Sequence, residues 1–413
     1  MIKNTINLCI LGLSFFVLTQ CTSAPEISQW RGPNRDGIYP EKNLLKEWPA
    51  EGPELLWKYE NLGKGYASAA VLFDKVLTIA TLDSISYIMA FDHEGGILYK
   101  KELGPEWMTN FPGSRSTPLL YDKLGYYLGA LGVLYCFEIE TGEVKWTKDL
   151  FTEFDGKNNR YGITENLLIE GDQLFCMPGG KKDNVIALNK NTGELIWRCE
   201  GNGGANVYAS PILIEMANEK YLITISDSTV LSVNIKDGSL AWKYNMYTGN
   251  PLPIYKEGYL FLMDYITEKD RGAIMLKIAD DGKSVAKEWF SNSLNVVAMF
   301  GGELIIDNKI YGSNSKQKGV FCIDWKTGVA IDSIKNNSLI STLIAADDMI
   351  YSYGFEGNIS LLKHDENGFN IVSTFRVEGG LKNQHCSHPV IHNGRLYIRH
   401  DNSLFVYDIS AKK

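Results

Sequence analysis

The chain has 413 residues, 45% apolar and 22% charged, with 39 Gly, 13 Pro, 9 Trp, 22 Tyr and 17 Phe. These proportions exclude disordered, collagen-like and coiled-coil classes. Lys and Arg number 41 against 49 Asp and Glu, a formal net charge of −8, which argues against nucleic-acid binding through a broad basic face.

Lys3 is the only charged residue among the first twenty, and an apolar stretch runs from Leu8 to Leu18. That stretch is too short to span a bilayer, so residues 1–20 read as an export signal. It ends in Leu18-Thr19-Gln20-Cys21, which resembles the lipobox of bacterial lipoproteins. The resemblance implies a lipidated Cys21 and an exported, lipid-anchored product facing the periplasm, on the outer rather than the inner membrane. Residues 21–52 are then an anchor linker and leading segment. Trp30 lies about nine residues past Cys21, a reach of roughly 30 Å, so the body stays near the membrane. Beyond Cys9 and Cys21 there are five cysteines. Cys136, Cys176, Cys199 and Cys322 sit in apolar runs, no CxxC occurs, and the count is odd. Buried thiols, not disulfides, are expected.

From there a unit recurs: an apolar run, a turn, another strand, then a glycine turn and an aromatic. The turns are His93-Glu-Gly-Gly96, Glu140-Thr-Gly142, Asn191-Thr-Gly193, Lys236-Asp-Gly238, Asp280-Asp-Gly282, Lys326-Thr-Gly328 and Glu366-Asn-Gly368, at glycine intervals of 46, 51, 45, 44, 46 and 40 residues. A period of this length built of short alternating strands is the signature of propeller blades. Trp146, Trp197 and Trp242 each follow their turn glycine by four residues, and Trp289 follows Gly282 by seven. With Trp57, the three closely spaced tryptophans are expected to fill the wedge between neighbouring blades and not to hold a cofactor.

Seven turns mark seven blade ends, yet three further strands follow, through Cys386, Arg395 and Leu404–Asp408, while Glu54–Tyr59 reads as a lone outer strand. Joining them predicts an all-β, eight-bladed β-propeller of four-stranded antiparallel blades over residues 53–413, closed by Leu55–Tyr59 against the C-terminal blade, with no free sheet edge there.

Innermost strands line a propeller's channel and their first residues crowd its mouth. Aligning those starts places Ser68, Thr117, Glu165, Ser210, Ser341 and His388 in one ring. Tyr66, Arg115 and Tyr208 stand two residues earlier, on the same strand face, and Arg160, Tyr161, Asn206 and His385 come from the same loops. A carboxylate, imidazoles and guanidiniums around one mouth suit a polar or anionic ligand, a saccharide included. The alternative is a water-filled channel in which Arg115 or Arg160 pairs with Glu165. His385 and His388 face opposite sides of a strand, so no metal is expected. No G-x-S-x-G, H-E-x-x-H, P-loop or dinucleotide glycine motif occurs.

The Thr-Gly-x-x-x-Trp copies and the Ser-Pro or His-Pro strand starts resemble the PQQ-like repeat superfamily, which includes quinoprotein alcohol dehydrogenases and BamB-like lipoproteins. Gln29-Trp-Arg-Gly-Pro-Asn-Arg-Asp-Gly-Ile38 is similar to the opening of PQQ-binding-like propellers. The resemblance implies a binding or scaffolding module with an envelope protein partner, working as a monomer without a cofactor. A saccharide-binding or saccharide-processing protein is the first alternative. A dehydrogenase using PQQ with calcium is the second; such members carry an adjacent cysteine pair, which this sequence lacks. Whether the protein is an enzyme stays open, leaning against.

Overall fold

The computed structural model describes residues 26–246, 252–265, 271–292, 302–314, 318–336, 340–378 and 385–412. The export signal and Cys21 lie outside the described residues. Eight antiparallel sheets form the ring: blade 1 (70–105), blade 2 (119–149), blade 3 (168–199), blade 4 (212–245), blade 5 (254–291), blade 6 (304–335), blade 7 (341–376) and blade 8 (390–408). Blade 8 takes its outermost strand, Glu54–Tyr59, from the other end of the chain, pairing Glu54 with Asp408 and Tyr59 with Leu404. The predicted closure through Leu55–Tyr59 is therefore present, with Glu54 paired as well.

Strand alternation explains why blades stack. In the third strand of blade 2, Leu134 and Cys136 pack towards blade 3, while Tyr135 and Phe137 pack towards blade 1. Apolar clusters of this kind fill all eight seams, so each sheet is apolar on both faces. Four of the five propeller cysteines are buried free thiols, and Cys386 is half-buried.

The repeat tryptophans close the seams at their outer edge. Trp197 donates its indole N–H to Ile235 O of the next blade at 2.8 Å, and Trp57 does the same to His93 O at 2.8 Å. Trp289 reaches Trp325 O at 3.2 Å, and in blade 1 a tyrosine substitutes, Tyr99 donating to Ile139 O at 2.7 Å. Each ring lies over the next blade's turn glycine. A Cβ on Gly238, at φ +77°, would stand 2.6 Å from the Trp197 ring, and one on Gly193, at φ +71°, 3.0 Å from Trp146. Glycine is required there for its backbone conformation and for the absence of a side chain. Trp242 is buried in the seam of blades 4 and 5.

Residues 26–50 do not behave as a linker. Ile27–Ser28 adds an antiparallel strand to the innermost strand of blade 2, and Ile38–Tyr39 a parallel one to that of blade 7. Trp48 then inserts between blades 7 and 8, its indole donating to Ile359 O at 3.2 Å.

Candidate functional site

Each blade's chain enters its innermost strand on one face of the ring, here called the mouth. Four links of one kind run round the axis just inside it. His388 N–H donates to Ser68 Oγ (3.0 Å), Ser68 N–H to Thr117 Oγ1 (3.3 Å), Thr117 N–H to Asn166 Oδ1 (2.8 Å) and Asn166 N–H to Ser210 Oγ (3.1 Å). The small hydroxyls of the strand starts thus stitch blade to blade. Of the expected ring, the Ser68, Thr117 and Ser210 hydroxyls take these places, His388 enters through its backbone N–H, and Asn166 occupies the place assigned to Glu165. On blade 7, Thr342, not Ser341, faces the next blade, its hydroxyl donating to Ser387 O at 3.2 Å.

A one-residue slip turns a side chain to the other face of a strand. The Glu165 carboxyl accordingly lies in the seam of blades 3 and 4, fully buried. Its Oε2 accepts from Met177 N–H at 3.1 Å and from Asn206 Nδ2 at 3.2 Å, while Oε1 has no hydrogen-bond partner among the described residues. Burial pushes its pKa up to about 8, against the pull of those two bonds and of Arg35. Asn206 also donates to Met177 O at 2.8 Å, and its Oδ1 is likewise without a partner among the described residues.

Neither Arg115 nor Arg160 reaches Glu165. The charges facing the interior come instead from the leading segment, which crosses the axis below the mouth. Arg35 donates to Asn166 O (2.8 Å) and Leu167 O (2.7 Å) of blade 3, and Arg31 to Glu303 O (2.6 Å) at the start of blade 6. Trp30 packs edge-on against His388 at 4.9 Å, and Val71 N–H of blade 1 donates to Ser28 Oγ at 3.0 Å. Arg31 is 1% exposed, and burial holds both guanidiniums below their usual value, Arg35 at about 10. Among the described residues the interior is therefore a seat for this segment. Sequence reasoning missed Arg31 and Arg35. The available signal was two arginines and two glycines between Trp30 and Ile38, a composition suited to a buried, tightly turned segment. Gly37, at φ +80°, would place a Cβ 2.7 Å from Leu304.

The remaining predicted residues gather at the mouth itself. Tyr161 packs on Tyr208 at 5.7 Å and on Phe111 at 5.9 Å, with the Arg160 guanidinium 5.3 Å from the Tyr161 ring. Arg115 stands among Tyr66, Tyr208 and Glu106. It donates to Asn110 O at 2.7 Å and to Phe111 O, fastening the 106–113 loop. That loop is also held by Trp107, whose indole donates to Asn110 O at 2.9 Å, and by Gly113 N–H to Trp107 O at 2.7 Å. At its base the buried Glu106 carboxyl accepts from Trp107 N–H (2.9 Å), Ala130 N–H (3.0 Å) and the Tyr127 hydroxyl. The tip presents Met108 and Phe111, the latter at φ +55°, a backbone region costly for a bulky residue.

A cavity of about 250 Å³ opens at the mouth, lined by Lys64, Tyr66, His385, Cys386, Arg399 and Asp401 among others; Arg115 does not line it but lies close to its Tyr66 and Cys386. His385 stacks on His400 at 3.7 Å, and burial holds its pKa down near 4. His385 and His388 therefore face different partners. Arg399 is spent on structure, donating to Ile79 O and Gly63 O across the seam of blades 8 and 1.

A quinone with calcium asks for adjacent cysteines and several acidic ligands. Glu165 and Asn206 offer one acid–amide pair, but among the described residues no three of His, Cys, Asp or Glu gather to hold a metal, and the five free cysteines lie apart. Trp107 is pinned into its loop. This donor set does not fit that centre.

The chain matches the family model described as outer membrane protein assembly factor BamB over residues 84–329. It is 24% identical over 172 residues to a quinoprotein alcohol dehydrogenase of Pseudomonas putida, covering 38% of this chain and 28% of that one. The chain thus spans under a third of that relative's length. Among solved structures, BamB from Moraxella catarrhalis superposes with a TM-score of 0.60 at 15% identity, over 87% of this chain and 98% of that one. A europium-containing methanol dehydrogenase gives 0.64 at 10% identity, over 90% and 89%. At such identities the superpositions establish the fold alone.

Proposed function

Since the chain belongs to the BamB family of PQQ-like propellers, we propose that it is a lipid-anchored binding module of the bacterial envelope that holds a partner at its mouth. Cys21 is the lipidation site and residues 1–20 the leader in this reading. The carrying observation is the contrast between the two faces of the axis. The leading segment fills the interior with Arg31 and Arg35, whereas the mouth carries a loop fastened from three sides that displays Met108 and Phe111. A fastened apolar tip lowers the ordering cost of binding. No chemical step is assigned to the protein.

The test replaces Phe111, or Val329 on the outer rim, with a photo-reactive residue in cells. Cross-links from position 111 to a defined envelope component, absent from position 329, are expected, together with lipid labelling abolished by Cys21→Ala. Equal cross-linking from both positions would refute the mouth as the binding face, and persistent labelling would refute the anchor. A saccharide reading of the same mouth is favoured by its aromatic shelf and neighbouring cations.

A further inference from the structure

Resting on the mouth as the binding face, we propose that its ligand is a uronic-acid saccharide. One carboxylated ring enters the cavity beside Tyr66, its carboxylate met by Arg115, and the next ring lies on the shelf of Phe111, Tyr161 and Tyr208. The cavity, about 250 Å³, falls below the roughly 300–1,000 Å³ of pockets for drug-sized ligands and suits a single ring. Its walls are divided evenly between polar and apolar surface, with Lys64, Tyr66, His385 and Asp401 beside Pro112. That mixed lining meets both the hydroxyls and the C–H face of a sugar ring.

Charge selects the acid form. The protein is net negative, yet Lys64, Arg115 and Arg160 at the mouth form no ion pair with any described carboxylate. The nearby Glu106 is buried and already accepts three hydrogen bonds. Arg115 spends Nη2 on two carbonyls, leaving Nη1 outside any hydrogen bond among the described residues. A guanidinium held by its own loop loses little freedom on meeting a carboxylate. The shelf adds apolar faces, with Phe111 42% exposed, on which the C–H face of a sugar packs while its hydroxyls reach polar groups. An extended peptide is disfavoured: on blades 8, 1, 2 and 3, which border the cavity and the shelf, the strand starts at the mouth spend N–H groups on the blade-to-blade links.

The full chain in detergent micelles is titrated calorimetrically with trigalacturonate and with neutral maltotriose. Saturable binding of the triuronate, about ten-fold or more tighter than maltotriose and weakened at least about ten-fold by Arg115→Gln, is expected, and it fades with added salt. Arg160→Ala removes an exposed side chain and weakens the same titration at unchanged melting temperature, so the proposal stays testable if Arg115→Gln loosens the loop. Equal affinity for the two trimers, or no heat from the triuronate, overturns the ligand class. Cross-linking from position 111 separates the levels: if it persists while uronate fails, only the ligand falls. If both fail, the mouth falls with it.

Discussion

Replacing Glu165 by Gln isolates one buried proton. The carboxyl is fully buried, and its pKa rises from 4.5 to about 8. Between those values the folded protein holds a proton that the unfolded chain releases, so stability falls as pH rises, by about 1.4 kcal/mol per unit. Across the window this one group removes up to roughly 5 kcal/mol, and the loss levels off above about pH 8. Gln keeps an acceptor for Met177 N–H and Asn206 Nδ2 but places an amide where Oε1 has no partner among the described residues, at a cost of about 1 kcal/mol. The variant should therefore be slightly less stable than the parent at pH 5 and more stable by about 4 kcal/mol at pH 9. Urea unfolding followed by tryptophan fluorescence from pH 5 to 9 gives the difference curve. A curve flat across that range, with Gln about 3–5 kcal/mol worse throughout, would mean that Glu165 is ionised and paired with Arg35, and would refute the assignment.

Other perturbations test the ring and its seat. Gly238→Ala sets a Cβ 2.6 Å from the Trp197 ring at φ +77° and should cost about 2–4 kcal/mol in urea unfolding, part of it relieved in the Trp197→Ala background. Arg35→Met leaves the Asn166 and Leu167 carbonyls without the guanidinium; about 2–4 kcal/mol of stability and the amide-exchange protection of residues 27–39 should be lost together. Of the five propeller cysteines only Cys386 is not fully buried, and burial pushes its thiol up to about 12. Alkylation at pH 8 should modify Cys386 slowly and the other four not at all until the protein unfolds.

The architecture was legible because blade geometry leaves local marks. A turn glycine, with a tryptophan four residues later in three copies, recurs wherever a third strand turns into an outermost one. Eight blades followed once Glu54–Tyr59 was seen as a strand without partners. What the pattern missed is non-local. Arg31 reaches a carbonyl 272 residues away, and nothing periodic in Gln29–Ile38 announces it. Trp48 belongs to no repeat copy, so its place between blades 7 and 8 could not be inferred by alignment. The Glu165 slip has a plainer cause: Ser68 and Thr117 stand two residues ahead of strands that begin at Ala70 and Leu119, and the strand of blade 3 begins at Leu168, which sets Asn166 at the matching place. Mouth residues were found more readily, since loops entering successive blades converge on the axis whatever their sequence. Arg115, Tyr161 and Tyr208 meet there, while His385 and His388 turn to other partners.

The segment seated across the axis also fixes how the ring bears force. A pull on the chain ahead of Glu26 arrives at the hub, where Ile27–Ser28 joins blade 2, Arg35 grips blade 3 and Arg31 the start of blade 6. The tension is shared by sheets on opposite sides of the wheel. Had the chain entered directly at Glu54–Tyr59, the same pull would bear on one rim strand and unzip blade 8 bond by bond. Force applied at Ile27–Ser28 thus tugs or tilts the wheel without bearing on the joint between Glu54–Tyr59 and blade 8.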